Sequence, residues 1–180
     1  MSASNGISAE EQDEIRAIFL NLFLKASEVY SWLRLYSQHD FDESLAPVYD
    51  ENGFCWRAVN PYHTKEEVRS ALKESTSEAY SDFMIFQWME RGPGGFKEIN
   101  GRLYARMIDD SEVKRSPYIA DCVFDTFRVE SVEKEKIVVL CDAPRGSRVY
   151  EFIMIWENER WVLTAWAGMR SNARTSSSTS

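Results

Sequence analysis

The stretch Ser8–His39, SAEEQDEIRAIFLNLFLKASEVYSWLRLYSQH, is the part of the chain that decides the fold. Apolar side chains recur in it at steps of three and four residues, which places them along one face of a helix. The members of this stripe are Ile15, Phe19, Leu22, Ala26, Val29, Tyr30 and Leu33. Ser8, followed three residues later by Glu11, has the pattern of a capping box and predicts the start of the helix. An apolar stripe of this length needs a covering surface elsewhere in the chain.

The second half of the chain supplies that surface as a series of predicted β-strands. The last two are joined by the polar segment Glu157–Arg160, which is typical of a hairpin connection. The four segments are Tyr118–Val132, Lys136–Cys141, Val149–Trp156 and Trp161–Met169. Helices followed by a meander of strands predict the α+β class, with the long N-terminal helix packed in a strongly curved antiparallel sheet.

The region between the first helix and the meander is predicted to hold shorter elements. Asp40 with Glu43 predicts a short second helix, and Pro47 should stop it. Thr64 opens a second capping box, which predicts a helix through about Ser77. Strands are predicted at Phe54–Val59, Phe83–Arg91 and Arg102–Ile108, with a loop at Gly92–Gly95.

The length of 180 residues fits one domain, which we place at residues 8–170. Residues 1–7 and the Ser/Thr-rich tail 171–180 are polar, and we expect both to be disordered. The formal net charge of −8 argues against nucleic acid and anionic membrane surfaces as partners. An acidic surface suits a basic protein partner, although it also serves solubility alone.

Localisation is predicted from what the sequence lacks. No apolar run reaches the roughly 18–20 residues that span a bilayer, and the N-terminus does not resemble a secretory signal. The three cysteines Cys55, Cys122 and Cys141 are odd in number and have no metal-type spacing. They are interpreted as reduced thiols, so a cytoplasmic protein is expected. No motif for a metal or other cofactor is present.

The order of the elements resembles the SnoaL-like superfamily, the α+β fold of nuclear transport factor two, ketosteroid isomerase and scytalone dehydratase. The resemblance covers roughly Ser27–Met169, and its first part is most similar to scytalone dehydratase. It rests on Tyr30, Trp32, Tyr36, Asp40, Phe41 and Asp42, and on the closing segment Glu159–Leu163. It implies a cystatin-like cone, or α+β barrel, whose helix and concave sheet face enclose an apolar pocket. It also implies a homodimer formed through the sheet.

The resemblance further implies chemistry without a cofactor, by carboxylates, His or Tyr residues inside the pocket. A group shielded from water has a displaced pKa, and it can therefore act as an acid or base near neutral pH. The expected activity is that of a dehydratase, isomerase or cyclase acting on a small hydrophobic, polyketide-like molecule. The chain departs from the pattern at Ser37, where related dehydratases have an aspartate, and no histidine follows His63. The alternative is a non-catalytic member that binds a small ligand or a protein through its sheet face, as an acidic adaptor or toxin-immunity protein would.

Eight residues are candidates for the pocket. The catalytic candidates are Tyr36, His63 and Asp125, and the ligand-binding candidates are Tyr30, Trp32, Trp56, Arg57 and Asp121. The aromatic residues either contact a ligand or form a helix face packed on the sheet. Asp121 and Asp125 share one face of a strand, so both enter the pocket as coupled carboxylates or both face solvent. Arg57 binds an anionic group of a ligand or forms an ordinary salt bridge.

Overall fold

The structure is a computed structural model that describes residues 6–34, 40–90, 95–107, 123–143, 148–164 and 168–171. Within these residues it has three α-helices and two antiparallel sheets, one of them strongly curved, so the predicted α+β class is confirmed. The chain forms two compact units. The terminal unit contains the chain up to Leu20 and from Pro117 onward, and the middle unit runs from Asn21 to Ser116. The single domain over residues 8–170 stays a prediction.

Helix α1 spans Ala9–Arg34, and its start is the predicted one. The Ser8 amide donates to the Glu11 carboxylate at 2.8 Å, and the Glu11 amide donates to the Ser8 hydroxyl at 3.1 Å. These two bonds form the reciprocal capping box. Most of the predicted apolar stripe is buried, including Leu22, Ala26, Val29 and Leu33. Phe23, which is not part of the stripe, is also buried. The predicted end at His39 lies outside the described residues.

The middle unit contains a four-stranded antiparallel sheet in the order β1-β2-β4-β3. The strands are β1 (Val48–Tyr49), β2 (Cys55–Ala58), β3 (Phe96–Ile99) and β4 (Arg102–Arg106). Two helices accompany them, α2 (Lys65–Lys73) and α3 (Glu78–Ile85), and one π-helical turn (Phe86–Glu90) continues α3. The main core of this unit is apolar and includes Val29, Leu33, Val59, Val68, Leu72, Ile85, Phe96 and Leu103.

The hairpin of α2 and α3 follows from local capping and from charge pairing. Thr64 accepts a hydrogen bond from the Glu67 amide at 3.1 Å, which confirms the predicted helix start, although α2 ends at Lys73 rather than near Ser77. Ser77 instead caps α3. Three cations spaced four residues apart on α2 then reach three acids of the following helical segment. The pairs are Lys65–Glu90 at 3.5 Å, Arg69–Asp82 at 2.9 Å and Lys73–Glu78 at 2.7 Å.

Two predicted elements of the middle unit are wrong. The strand predicted over Phe83–Arg91 is helical in its described part, which ends at Glu90, because Met84, Ile85 and Met89 are buried at helical spacing in the core. The short helix predicted from Asp40 does not form. The Asp42 carboxylate instead accepts from the Ser44 amide at 3.1 Å in a local turn, and Arg102 binds it from 60 residues away at 3.0 Å. The predicted loop Gly92–Gly95 lies outside the described residues except for Gly95.

The terminal unit is built on a five-stranded antiparallel sheet, with four strands in the order β5-β6-β7-β8. The strands are β5 (Val123–Glu133), β6 (Lys136–Asp142), β7 (Arg148–Glu157), β8 (Arg160–Leu163) and β9 (Gly168–Ser171). Strand β7 pairs with β8 through its second half and with β9 through its first half. Register shifts in β5 interrupt its pairing with β6, and bulges of this kind bend a sheet. The first three predicted strands of the meander are confirmed in their described parts, whereas the fourth, predicted over Trp161–Met169, is divided, because β8 ends at Leu163 and β9 begins at Gly168.

The start of α1 packs on this sheet through Phe19. Its ring lies 5.5 Å from the ring of Phe127 and 4.9 Å from that of Phe152, measured between centroids. Both Phe19 and Phe152 are completely buried. The β7–β8 turn closes with Asn158 and Glu159 at φ of 52° and 62°. Positive φ at both positions is the geometry of a two-residue hairpin turn, so the predicted polar connection is confirmed.

Candidate functional site

An apolar groove of about 280 Å³ opens on the terminal unit between the start of α1 and the sheet. We call it the N-terminal groove; its lining is Gly6, Ile7, Glu11, Glu14, Ile15, Ile18, Val132, Ile137 and Trp161. The helix contributes its first three turns, the β5–β6 hairpin contributes two aliphatic side chains, and β8 contributes one indole. This site was not predicted from the sequence, because its residues come from three segments that are distant in the chain.

Large apolar side chains remain exposed at the rim of the N-terminal groove. Val132 is 47% exposed, and Ile18 is also exposed. Trp156 lies directly opposite Trp161 across β7 and β8, with ring centroids 5.4 Å apart in an edge-on arrangement, and it too is exposed. Contiguous exposed apolar surface of this kind marks a site of interaction more often than scattered single residues do.

The charges that line the N-terminal groove have one sign. Two of its residues, Glu11 and Glu14, are acidic, and none is Lys, Arg or His. Hydrogen bonds with the backbone amide and the side chain of Ser8 lower the pKa of Glu11. The carboxylate therefore stays ionised at neutral pH, and the rim is negative. An apolar floor with a negative rim selects for an apolar group accompanied by positive charge.

The volume of the groove decides what size of group it accepts. Sites for drug-sized molecules are usually concave, about 300–1,000 Å³, and bury most of the ligand surface. The N-terminal groove lies just below that range and is open to solvent. It fits one or two side chains of a protein segment better than a whole small molecule.

The predicted ligand-binding residues Tyr30 and Trp32 pack within the middle unit. The indole of Trp32 stacks on Phe96 and meets the ring of Tyr62 edge-on, both at 4.9 Å between centroids. Its N–H donates to the carbonyl of Asn60 at 2.8 Å. Tyr30 meets Trp88 edge-on at 6.2 Å. These contacts favour the alternative of a packed aromatic helix face, in which Trp32 packs on Phe96 of the sheet of the middle unit and Tyr30 on Trp88 of the π-helical turn.

Trp56 and Arg57, also predicted to bind a ligand, are held by internal contacts. The N–H of Trp56 donates to the Asp50 carboxylate at 2.7 Å, and the Lys97 ammonium lies 4.0 Å from the centre of the indole ring. The Arg57 guanidinium pairs with Glu43 and lies over the ring of Phe41. The structure therefore shows for Arg57 the salt bridge that was the alternative to anion binding.

We predict that Asp50 makes the middle unit sensitive to acid. The hydrogen bond from Trp56 has the largest effect and lowers the pKa of Asp50. Burial, the second effect, raises it, and bonds from two backbone amides and the charge of Lys97 lower it further. A carboxyl group whose folded pKa is depressed stabilises the fold above its unfolded pKa of about 3.9, and this contribution disappears as pH falls through the folded value. Asp50→Asn should therefore flatten the loss of stability below about pH 4, measured as urea midpoints at pH 7, 5 and 3.

Trp56→Phe provides the matched variant, because it removes the indole donor and leaves the carboxylate in place. It should flatten the same part of the pH profile. An acid dependence equal to that of the wild type in both variants would contradict the role of this pair.

His63, predicted as an acid or base, is exposed at the start of α2. Its backbone amide donates to the Glu67 carboxylate at 2.6 Å, and its carbonyl accepts from the Leu103 amide.

His63 adjoins an open cleft of about 470 Å³ lined by Tyr62, Thr64, Glu66, Glu67, Ser70, Ala71 and Glu74. Burial, together with nearby acids, raises the pKa of Tyr62. The acids of this cleft already have partners within the unit. Glu66 pairs with Arg69 and Glu74 with Lys25, and Glu67 accepts from the backbone amide of His63.

Asp125, the third catalytic candidate, belongs to the terminal unit. Its side chain is 98% exposed and lies 3.8 Å from the Arg16 guanidinium. Such exposure matches the alternative in which this strand face meets solvent, and it does not supply the shelter from water that an acid or base in a pocket needs. Tyr36 and Asp121 lie outside the described residues.

The thiol of Cys141 is buried in the protein core. Burial raises the pKa of the Cys141 thiol to about 11, so this residue is an inert core side chain at neutral pH. The described residues contain no group of three or more His, Cys, Asp or Glu side chains that could hold a metal ion. Among the same residues, no helix is sufficiently long and apolar to cross a membrane.

Comparisons of the chain with protein-family models, with curated proteins and with solved structures give no match. The resemblance to the SnoaL-like superfamily therefore stays a prediction from the order of elements and from the aromatic segment around Trp32. The class that the structure itself defines is an acidic α+β protein with an open apolar groove.

Proposed function

We propose that the protein is a non-catalytic binding protein, an acidic adaptor that recognises a basic amphipathic segment of a partner protein. The N-terminal groove would take one or two apolar side chains of that segment. Lys or Arg residues beside those side chains would pair with Glu11 and Glu14. The observation that carries this proposal is the combination of an apolar floor with an all-acidic rim in one open groove.

The two parts of the groove have different roles in recognition. Burial of apolar surface supplies most of the affinity, at roughly 25 cal/mol per Å². Charge pairing at an exposed rim contributes less affinity, but it speeds association and rejects acidic segments. The net charge of −8 acts in the same direction over a longer range, because it attracts a basic partner before contact.

The test uses a synthetic amphipathic helical peptide of leucine and lysine, titrated by calorimetry. We expect saturable one-to-one binding with a Kd on the order of 10 µM. Raising the salt concentration from about 50 mM to about 500 mM should weaken binding several-fold, because salt screens exposed charges.

Two control peptides separate the groove from general charge attraction. A peptide with glutamate in place of lysine should bind at least about tenfold more weakly, because the rim repels it. A peptide with serine in place of leucine keeps the charge and loses the apolar face, and it should also bind at least about tenfold more weakly. Equal binding of the serine peptide would contradict the groove proposal, since charge alone would then explain the association.

The enzymatic hypothesis, a dehydratase, isomerase or cyclase of small hydrophobic molecules, stays a prediction. It depends on a pocket beside Tyr36, which lies outside the described residues. Of its other catalytic candidates, the described part of the chain places His63 at an exposed helix start and Asp125 in solvent.

A further inference from the structure

The helix α3 and the π-helical turn that follows it present an aromatic face to solvent. Phe83 is 51% exposed and Phe86 is 48% exposed. The ring of Tyr80 stacks on that of Phe83 with centroids 6.1 Å apart and planes 20° from parallel. Residues three positions apart lie on the same side of a helix, so these rings form one patch, which we call the α3 face.

The opposite side of this segment fixes the direction in which the α3 face points. Met84, Ile85 and Met89 are buried in the core of the middle unit. Turning Phe83 and Phe86 inward would require removing these side chains from the core, which costs several kcal/mol for each large apolar residue. The two phenylalanines are therefore held in solvent by the packing of their neighbours.

The acids around the α3 face are neutralised within the chain. Asp82, Glu78 and Glu90 are each paired with a cation of α2, at distances of 2.7–3.5 Å between the nitrogen and the carboxylate oxygen. The N-terminal groove has no basic lining residue beside its acids. Two copies of a chain with net charge −8 repel each other, and the repulsion is weakest where local charges cancel. A second acidic chain therefore meets the least electrostatic repulsion at the α3 face.

We propose that two copies of this chain associate through the α3 face. A two-fold axis would bring the same patch of both copies together, with Phe83 of one copy against Phe86 of the other. This pairing buries Phe83 and Phe86 of each copy, which are about half exposed in the single chain, together with the less exposed Tyr80. The patch is small compared with the roughly 1,200–2,000 Å² of a stable interface, so the dimer is weak and depends on concentration. This inference concerns a different surface from the N-terminal groove and does not rest on the proposed function.

The test is sedimentation velocity of the full chain from about 10 µM to about 1 mM, a range in which weak dimers form. The weight-average mass should rise from that of the monomer toward twice that value. The double variant Phe83→Ser, Phe86→Ser should weaken self-association at least about tenfold. Phe54→Ser is the matched control, because Phe54 is also an exposed phenylalanine of the middle unit but lies in the turn before β2.

Two further measurements keep the proposal open to refutation if the double variant folds poorly. Hydrogen exchange of the wild-type chain should slow at residues 78–90 as concentration rises. Added salt should tighten self-association, because it screens the net repulsion between acidic copies. A monomer at every concentration, a dimer unaffected by the double variant, or salt-induced dissociation would each overturn the proposal.

Discussion

Replacing Phe19 with alanine should destabilise the terminal unit by about 3–5 kcal/mol, the largest effect on stability that we expect from a single substitution. Phe19 is completely buried, and its ring contacts those of Phe127 and Phe152. The substitution removes apolar contact area and leaves a cavity that the sheet can only partly close. Urea unfolding followed by far-UV circular dichroism measures the loss.

Leu24→Ala is the matched control for this prediction. Leu24 lies on the same helix but is 64% exposed, so the change should cost less than about 0.5 kcal/mol. A cost for Phe19→Ala below about 1 kcal/mol would mean that α1 is not packed on the sheet through this ring.

Replacing Ile18 with lysine should weaken binding of the leucine–lysine peptide at least about 30-fold, or roughly 2 kcal/mol. The change removes an apolar lining residue of the N-terminal groove and places a positive charge beside Glu11 and Glu14. The new ammonium would cancel one of the two negative charges of the rim and repel the lysines of the peptide. Because Ile18 is exposed, a long lysine side chain can extend into solvent and the helix should fold normally.

Leu24→Lys separates the effect of the groove from that of net charge. It makes the same change in charge at an exposed position of the same helix that does not line the groove. Its binding should stay within about threefold of the wild type. Equal weakening by both variants would show that overall charge, rather than the groove, governs the interaction.

Elements whose signals are local could be predicted from the sequence. The capping box of Ser8 with Glu11 forms both of its hydrogen bonds. At Thr64 the hydroxyl caps the Glu67 amide as expected, but the Glu67 carboxylate accepts from the His63 amide. The first three strands of the meander and the turn at Asn158 likewise follow from alternation and turn chemistry between neighbours. The α+β class followed from the order of these elements.

Elements decided by distant contacts could not be predicted. The segment Phe83–Glu90 is rich in aromatic residues and has the composition of a strand, but burial of Ile85 and Met89 in the core and the ion pairs with α2 favour a helix. The Ser77 cap was a local sign of that helix and was overlooked. Asp40 had the spacing of a helix cap, whereas the following loop is organised by Arg102, which binds Asp42, Asn60 and the Val59 carbonyl.

The candidate site was also beyond what local patterns show. Trp32 and Trp56 were conspicuous in the sequence, but their partners Phe96, Asn60 and Asp50 make them structural. The N-terminal groove depends on Ile18, Val132 and Trp161, which only the folded sheet brings together. The sequence contained one hint of it, because Ile15 and Ile18 are three residues apart on the helix and Ile18 lies beside the predicted buried stripe.

Partner binding at the N-terminal groove is the central claim. Hydrogen exchange of the whole chain with and without the leucine–lysine peptide tests this directly. We predict slower exchange at the start of α1 through Ile18, in the β5–β6 hairpin around Val132, and in β8 at Trp161. Slowed exchange confined to the middle unit, or none at these three places when the peptide is saturating, would contradict it.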